Sequence, residues 1–345
     1  MKRQQIVLTV IARDEAARIG RLLASVAPWV DAMLVLDTGS QDDTVAIARR
    51  HGARVEHFTW CDDFAAARNA SLELAAADWH LVLDADEWLI DGGALLRDLR
   101  DTVPDYVGVI RRTDQDGAGN VVQQWISRLL PGRVRYAGRV HEQPVHTLPL
   151  RRLALHAGHD GYDDASTAAK RGRNRRLLQA ELAERPGDAY LWYQFGKDCA
   201  VYGEHGAAVD ALQRADALCT EHPAWRHDLA TRLLFSLKKT GRHALALEHA
   251  QTRLEDHAAS PDFFFALGDL LLDWAAETPA LADELLPMAQ QAWQRCLEIG
   301  EQPGLSGAVQ GRGSWLAAHN LAVVLEGLDH ADDAAVLRAS HPAPA

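Results

Sequence analysis

Short apolar segments alternate with helical patterns over the first ninety residues of the chain. Each apolar run precedes a segment with an apolar residue every three or four positions, which is typical of alternating strands and helices. Strands joined by helices of this length form a parallel sheet with right-handed crossovers. The pattern predicts strands over 6–11, 33–37, 54–58 and 80–83 and helices over 16–26, 44–51 and 64–77.

The pattern changes after Tyr106. Two shorter strand-like runs, 107–111 and 121–126, are separated by a turn at 114–117, so we expect a mixed or antiparallel extension of the sheet as far as Leu155. From about residue 165 onward the chain has only helical patterns. We therefore predict an α/β domain over residues 1–164, a connecting helix over 165–186 and an all-α domain over 187–340.

The helical half is self-similar at a period near 34 residues. Its spacings resemble tetratricopeptide repeats, in which large residues of one helix pack over small residues of its partner. Weaker units follow around 234, 264 and 321. The unit around 264, the third along the chain, is expected to have an insertion before its second helix at 288–300. Such pairs stack into a curved array that commonly binds a peptide or a protein, although a purely structural cap is the alternative. The clearest unit comprises Trp192, Phe195, Gly196, Cys199, Gly203, Ala208, Leu212 and Ala215, followed by Pro223.

Charge and composition narrow the classes of function. The net charge of −12 argues against a nucleic-acid binder, because neutralising phosphates requires a surplus of Lys and Arg. No stretch approaches the roughly 20 apolar residues of a membrane span, and the apolar run 6–12 is too short for a secretory signal. Four scattered cysteines indicate neither a disulfide framework nor a cysteine zinc site. We therefore expect a cytoplasmic protein.

Acidic residues follow three of the predicted strands, at 13–15, 37–40 and 84–86. In parallel sheets, ligands bind at the carboxyl ends of the strands, so these acids are expected to share one crevice. Asp84 and Asp86 are two residues apart on extended chain and point the same way, so both can meet a divalent cation or the ribose of a nucleotide. An isolated Asp-X-Asp is also common in structural loops, so the surrounding sequence is needed to tell a functional motif from a structural one.

That context resembles the inverting, family 2 glycosyltransferases with the GT-A fold. Segments 9–15, 35–44, 67–69 and 78–88 match the family in order along the chain. The resemblance implies a Rossmann-like, mainly parallel sheet and transfer of a sugar from a nucleoside-diphosphate donor, with a UDP-sugar favoured. It also implies Mn²⁺ or Mg²⁺ as the cofactor, which offsets the charge of the leaving diphosphate.

The resemblance implies roles for individual donor-binding residues. Asp37, after the second strand, would bind the uracil or ribose of the donor, and Glu15 would lie near the nucleoside. Asp14 stands where relatives often have Asn, which leaves a direct base contact open. Arg68 is expected to contact the diphosphate or the sugar.

The same resemblance implies a metal site. Asp86 would ligate the ion that bridges the diphosphate, while Asp84 would bind the ribose or reach the ion through water. Residues 159–162 resemble the His-X-Gly-Tyr stretch of relatives with tetratricopeptide repeats, which implies His159 as a second ligand. A neutral His suits a borderline ion such as Mn²⁺. His156 and His141 compete for this role.

An inverting displacement requires a base that takes a proton from the attacking acceptor. Residues 138–142 resemble the Val-His-Glu stretch that precedes the acceptor site, and Glu142 is the expected base. Glu87 and Asp160 are the alternatives. Pairing of Glu142 with Arg139 or Arg128 would make it structural instead.

The acceptor and the competing functions follow from the two halves together. The helical array favours a peptide or protein side chain as the acceptor, with a surface glycan as the alternative, and it leaves a homodimer open. A second class of function is an inactive scaffold that binds a protein partner, but the acids Asp37, Asp84 and Asp86 would then be free to be lost. A nucleotidyltransferase would be expected to have a Gly-rich phosphate loop after the first strand, whereas 12–15 contains no glycine.

Overall fold

The computed structural model describes residues 3–115, 121–159 and 164–343. The chain forms two compact units that divide between Glu181 and Leu182. The division falls within one long helix, so each unit is described by itself.

The first unit is built on a mixed sheet, as the pattern predicted. The strands are β1 (Ile6–Ala12), β2 (Ala32–Asp37), β3 (Arg54–His57), β4 (Trp79–Val82), β5 (Glu87–Asp91), β6 (Val107–Gln115), β7 (Val121–Pro131), β8 (Arg135–Ala137), β9 (Gln143–Val145) and β10 (Leu150–His159). Strands β1, β2, β3 and β4 are parallel to one another, and the strands beyond β4 add antiparallel and parallel pairings. The order across the sheet is β3-β2-β1-β4-β7-β6-β10-β5, and β8 pairs with β9 separately.

Local sequence explains the helices that flank this sheet. The first helix buries Ile19, Leu22, Leu23 and Val26, the spacing of one helical face. The third begins where Asp63 accepts a hydrogen bond from the N–H of Ala66. The helices are α1 (Ile19–Val26), α2 (Thr44–Arg50), α3 (Phe64–Ala75), α4 (Ala94–Asp98) and α5 (Asp164–Glu184), with a 3₁₀ turn at Leu99–Asp101.

Three strand features of this unit were not predicted from the sequence. Strand β5 begins directly after the Asp-X-Asp segment, β8 and β9 form a small hairpin, and β10 extends as far as His159. Strand β10 lies between β6 and β5, which brings the end of β10 next to the Asp-X-Asp segment. The predicted turn at 114–117 falls partly outside the described residues, and β6 continues through Gln115.

The second unit consists of helices that pack in antiparallel pairs. Small residues let neighbouring helices approach, as the repeat pattern predicted: a Cβ atom on Gly196 would lie 2.6 Å from Leu212, and one on Gly268 would lie 2.6 Å from Trp293. No helix in the described ranges is both long and apolar enough to cross a membrane. The helices are α6 (Ala189–Val201), α7 (His205–Leu218), α8 (Arg226–Lys239), α9 (His243–Arg253), α10 (Pro261–Glu277), α11 (Ala282–Ile299), α12 (Trp315–Gly327) and α13 (Ala331–Ser340), with a 3₁₀ turn at Pro279–Leu281 and a two-residue strand at Ala308–Val309.

The predicted insertion in the third repeat is wrong in its extent. Helix α11 begins at Ala282 rather than at 288, and Pro287 lies inside it. Proline lacks an N–H and disfavours helix in the residue before it, which is why the pattern placed the helix start after Pro287. Leu285 and Ala289 are both buried, so packing on either side of the proline keeps this segment helical.

Candidate functional site

The carboxyl ends of three neighbouring strands meet at one edge of the sheet. Strand β1 is parallel to both β2 and β4, and in this register Ala12 lies beside Asp37 and Thr9 lies beside Val82. The segments that follow these strands therefore emerge at the same edge. The three acidic segments thus follow strands that end at one edge of the sheet, as the sequence predicted; the crevice itself stays a prediction.

The loops after β1 and β2 are tied together by their own side chains. The N–H of Asp14 donates to Ser40 Oγ (3.0 Å), and the Asp14 carboxylate accepts from the N–H of Gln41 (2.6 Å). Asp14 has a φ of 55°, a left-handed conformation that Asn and Asp tolerate best among non-glycine residues. This backbone conformation favours Asp or Asn at position 14. The carboxylate of Glu15 lies 3.2 Å from Arg18.

Asp37 is buried at the end of β2, where it shapes the following loop. Its carboxylate accepts from the N–H groups of Gly39 and Ser40, each at 3.2 Å, and lies 3.2 Å from His57 Nδ1. Burial opposes ionisation, but the hydrogen bonds from Ser40, Gly39 and His57 outweigh it and lower the pKa of Asp37. Asp37 is therefore a fixed negative charge at the crevice.

The side chain of Asp84 forms ion pairs with two buried arginines. Arg68 Nη2 and Arg128 Nη2 each lie 2.5 Å from one oxygen of its carboxylate. Burial raises the pKa of Asp84, but the charges of Arg128 and Arg68 dominate and hold that pKa well below its usual range. Arg68 also pairs through Nε with Glu142, the expected base. The structure thus brings Asp84 and Glu142 to Arg68, although they lie 16 and 74 residues from it in the sequence.

Glu87, one alternative for the base, is enclosed by donors. Its side chain accepts from Arg128 (2.6 Å), from Arg112 (3.1 Å) and from the N–H of Asp84 (3.0 Å), and only 1% of the residue is exposed. A carboxylate enclosed in this way has no room for an acceptor substrate. The other alternative, Asp160, lies outside the described residues.

The arginine cluster retains donor groups that the rest of the described chain does not satisfy. Arg68 Nη1, Arg112 Nε and Arg128 Nε are buried and have no hydrogen-bond partner there, and neither does the hydroxyl of Tyr136. The guanidinium of Arg68 lies 5.4 Å from the centre of the Tyr136 ring. Because unsatisfied buried donors are costly, such a group is typical of a site that receives an anionic ligand.

Asp86 and His159 meet because strands β5 and β10 pair in a fixed register. His159 lies opposite Glu87 in that pairing, one residue from Asp86. His159 Nε2 lies 3.5 Å from Asp86 Oδ2, and Nδ1 lies 2.9 Å from Asp114 Oδ1. Burial lowers the pKa of His159, but contact with Asp114 and Asp86 outweighs it and raises that pKa to about 9. The position between the two carboxylates therefore favours a positive charge.

Of the two competing histidines, His156 makes its contacts on the opposite face of the sheet from His159. His156 Nε2 is 2.7 Å from Thr113 Oγ1, and its Nδ1 is 3.2 Å from Arg111. Because side chains alternate along a strand, Arg111 and Thr113 lie on the face of β6 opposite to Asp114, and His156 lies on that face with them. His141 has a left-handed φ of 52° in the loop before Glu142. Within the described ranges, no three His, Cys, Asp or Glu side chains are arranged to hold an ion together, so any ion would take its remaining ligands from substrate and water.

Sequence reasoning missed Arg128, Arg112 and Asp114. The pattern placed none of them in a strand: Arg112 and Arg128 lie just beyond the predicted strands and Asp114 lies in the predicted turn, whereas the structure places all three within β6 and β7. Buried charges in a sheet are rare unless they are paired. Which partner each would find depends on strand pairings that no local pattern reveals.

Similarity to known proteins covers most of the first unit and extends beyond it. Residues 8–155 match the model of glycosyl transferase family 2. A TPR repeat-containing protein of Synechococcus elongatus is 35% identical over 269 residues, which cover 73% of this chain and 66% of the relative. The SPbeta prophage-derived glycosyltransferase SunS of Bacillus subtilis is 28% identical over 61% of this chain and 53% of its own length. The chain thus spans between half and two thirds of these relatives.

Among solved structures, a similar chain is glucosyl-3-phosphoglycerate synthase from Mycobacterium tuberculosis in complex with Mn²⁺, uridine diphosphate and glucosyl-3-phosphoglycerate. It is 26% identical over 33% of this chain and 45% of that chain, with a TM-score of 0.27.

Proposed function

We propose that this chain, whose N-terminal unit is a family 2 glycosyltransferase domain followed by tetratricopeptide-like repeats, transfers a sugar from a nucleoside-diphosphate donor to a peptide or protein side chain. A UDP-sugar is the favoured donor and the transfer inverts the anomeric carbon. The observation that carries the proposal is the position of Asp86 and His159 next to a buried arginine cluster with unsatisfied N–H groups.

The residues present fit a divalent ion. Asp86 and His159 offer a carboxylate oxygen and an imidazole nitrogen 3.5 Å apart. Two protein ligands suit Mg²⁺ or Mn²⁺ in nucleotide sites, where phosphates and waters supply the remaining ligands. When bound, the ion offsets negative charge on the departing diphosphate.

The arginines are arranged to receive the diphosphate. Arg68 and Arg128 are held by Asp84, which leaves Arg68 Nη1 and Arg128 Nε for a ligand. Guanidinium groups bind phosphate oxygens well because their N–H groups are planar and always charged. Asp84 also holds the two arginines, and it remains our assignment for the ribose or for the ion through water. Glu15 and Asp37 remain our assignments for the nucleoside end of the donor.

Glu142 remains our assignment for the base. Its contact with Arg68 places it beside the diphosphate-binding arginines, where an acceptor would approach the sugar. Glu142 would take the proton from the acceptor nucleophile as that nucleophile bonds to the anomeric carbon. The bond from that carbon to the diphosphate oxygen breaks in the same step, and the nucleoside diphosphate leaves with the electron pair.

The helical unit supports a polypeptide acceptor, because stacked repeats of this kind commonly bind peptides. A surface glycan remains the alternative acceptor, and a homodimer through the repeats remains open. Function in the cytoplasm is part of this proposal. An inactive scaffold is disfavoured because Asp84, Asp86 and His159 all keep side chains suited to donor chemistry and lie together.

Asp86→Ala tests the proposal. The purified full-length protein is incubated with Mn²⁺ and UDP- or dTDP-sugars, and release of free nucleotide is followed. We expect Asp86→Ala to lose roughly 100-fold or more in turnover, the scale of losing one electrostatic contact to the transition state. The far-UV circular dichroism spectrum should not change.

Asp91→Ala is the matched control. It removes an exposed carboxylate at the far end of β5, five residues from Asp86, and should keep full activity. Full activity of Asp86→Ala, or absence of turnover by the wild type with every donor in the panel, would contradict the proposal.

A further inference from the structure

Strand register places Asp114 next to His159. In the parallel pairing of β6 with β10, Thr113 lies opposite Gly158, so the next residues, Asp114 and His159, are neighbours on one face of the sheet. Both side chains are buried or nearly so, with 4% and 15% of the side chain exposed. The contact is thus set by the backbone of two strands rather than by a flexible loop.

The contact divides the two nitrogens of the His159 ring between two partners. Nδ1 lies 2.9 Å from Asp114 Oδ1 as an ion pair, and neither atom makes a hydrogen bond of regular geometry to any described residue. Nε2 lies 3.5 Å from Asp86 Oδ2, on the side where the ion is proposed to bind. A carboxylate next to one ring nitrogen holds a proton on that nitrogen and leaves the other as the ligand.

Asp114 is itself held in place. Arg112 Nη2 donates to Asp114 Oδ2 (2.9 Å), and Arg112 Nη1 donates to Glu87 (3.1 Å). Glu87 in turn accepts from Arg128, one of the two proposed phosphate-binding arginines. A continuous series of charged contacts therefore connects His159 with the arginine cluster.

We propose that Asp114 is a positioning residue that keeps the proton of His159 on Nδ1 and directs Nε2 toward the ion shared with Asp86. The inference depends on the proposed function, because it concerns the same metal site. It adds a residue that no part of the sequence pattern or of the family resemblance assigns.

Mn²⁺ binding to the full-length protein tests the inference without measuring turnover. Free Mn²⁺ is measured by electron paramagnetic resonance, with and without UDP, and pulsed measurements detect coupling of bound Mn²⁺ to imidazole nitrogen. We expect Asp114→Ala to weaken Mn²⁺ binding by roughly 10–100-fold and to remove most of the nitrogen coupling. Asp114→Asn has the same shape and can still accept from Nδ1, so its loss should be smaller.

The nitrogen coupling separates positioning from a general loss of structure. A merely structural defect would lower the amount of bound Mn²⁺ but leave the nitrogen coupling of the ions that do bind. His159→Gln sets the signal expected without the ligand. His156→Gln removes a histidine of the same strand that contacts the other face, and should change neither readout.

Two outcomes overturn the inference in distinguishable ways. If wild type shows nitrogen coupling that His159→Gln removes, but both Asp114 variants retain it with unchanged affinity, Asp114 does not position the ligand and the proposed function stands. If wild type and His159→Gln bind Mn²⁺ identically, the metal site fails and the inference fails with it.

Discussion

The two units differ in how they bury charge. In the sheet unit, Arg68, Arg112 and Arg128 converge with Asp84 and Glu87 at one edge of the sheet. In the helical unit, buried acids lie apart and each has its own arginine: Asp228 pairs with Arg232 one turn away, and Asp262 pairs with Arg312. Because buried ion pairs add little net stability, a cluster of them is better explained by ligand binding than by folding.

Arg128→Met should give the largest loss of stability. Arg128 touches both Asp84 and Glu87, so its removal leaves the buried Glu87 with Arg112 and the partly exposed Asp84 with Arg68 as their remaining arginines. We expect the free energy of unfolding to fall by about 3–5 kcal/mol, measured by urea titration with circular dichroism.

The double variant Arg128→Met/Glu87→Gln is the control for this prediction. It removes the buried carboxylate of Glu87 as well as the arginine, so it should recover part of the loss. A loss below about 1 kcal/mol in the single variant would mean that the cluster is well solvated and is not comparable to a buried network.

Much of the fold could be predicted because its signal is local. The alternation of apolar runs and helical patterns predicted β1 to β4 and α1 to α3 to within a few residues, since both strand and helix burial follow short periods in sequence. The position of Asp84 and Asp86 after β4 followed from the same pattern. The small-residue positions Gly196 and Gly268 followed from the repeat.

The partners within the site could not be predicted, because they depend on contacts between distant strands. Asp114 meets His159 only because β10 inserts between β6 and β5, and this insertion leaves no local pattern. Arg128 meets Asp84 across 44 residues through the pairing of β7 with β4. The resemblance left a base contact by Asp14 open, and no sequence pattern indicated the left-handed φ that the structure gives this residue.

Gly268→Ala should sharpen the contrast from the helical side, where shape rather than charge decides stability. An added Cβ would lie 2.6 Å from the ring of Trp293, which is fully buried and cannot move aside. We expect a loss of about 2 kcal/mol from overpacking. Gly206→Ala is the matched control within α7, since a Cβ there meets nothing within 4 Å. It should raise stability by a few tenths to about 1 kcal/mol, and an equal loss in both variants would refute the packing argument.

The pH dependence of the helical unit should include a contribution from His257, a buried histidine for which the attraction of Asp256 does not offset the effect of burial. Burial, with a smaller effect of nearby His227, lowers the pKa of His257 to about 4 from 6.5. The folded state therefore disfavours the protonated ring. The contribution of neutral His257 to the free energy of unfolding is fully present above pH 6.5 and is lost as the pH falls toward 4. After allowance for partial solvation we expect a loss of about 1–2 kcal/mol over this range.

His257→Gln provides the measurement for this prediction. Urea unfolding of wild type and variant is compared between pH 4 and pH 6.5, the range set by the two pKa values. Stability of the variant should change less steeply with pH than that of wild type. Parallel curves for the two proteins would show that His257 does not titrate in this way.

The smallest effects should come from helix caps, where the two units are expected to behave alike. Asp63 Oδ1 accepts from the N–H of Ala66 (2.8 Å) at the start of α3, and Asp188 Oδ1 accepts from the N–H of Leu191 (3.1 Å) at the start of α6. Replacement of either aspartate by alanine should cost about 1 kcal/mol, while replacement by asparagine, which also caps well, should cost only a few tenths.

Equality of the two cap effects has a consequence for the charge cluster. Helix α3 contains Arg68, whereas α6 contributes no residue to that cluster. If Asp63→Ala costs the same as Asp188→Ala in urea unfolding, the position of Arg68 is fixed by its ion pairs rather than by the first turn of its helix. A loss at Asp63 larger by more than about 1 kcal/mol would mean that the start of α3 and the ion pairs are coupled, because additive sites agree within about 0.5 kcal/mol. The stability of α3 could then no longer be separated from the ion pairs of the arginine cluster.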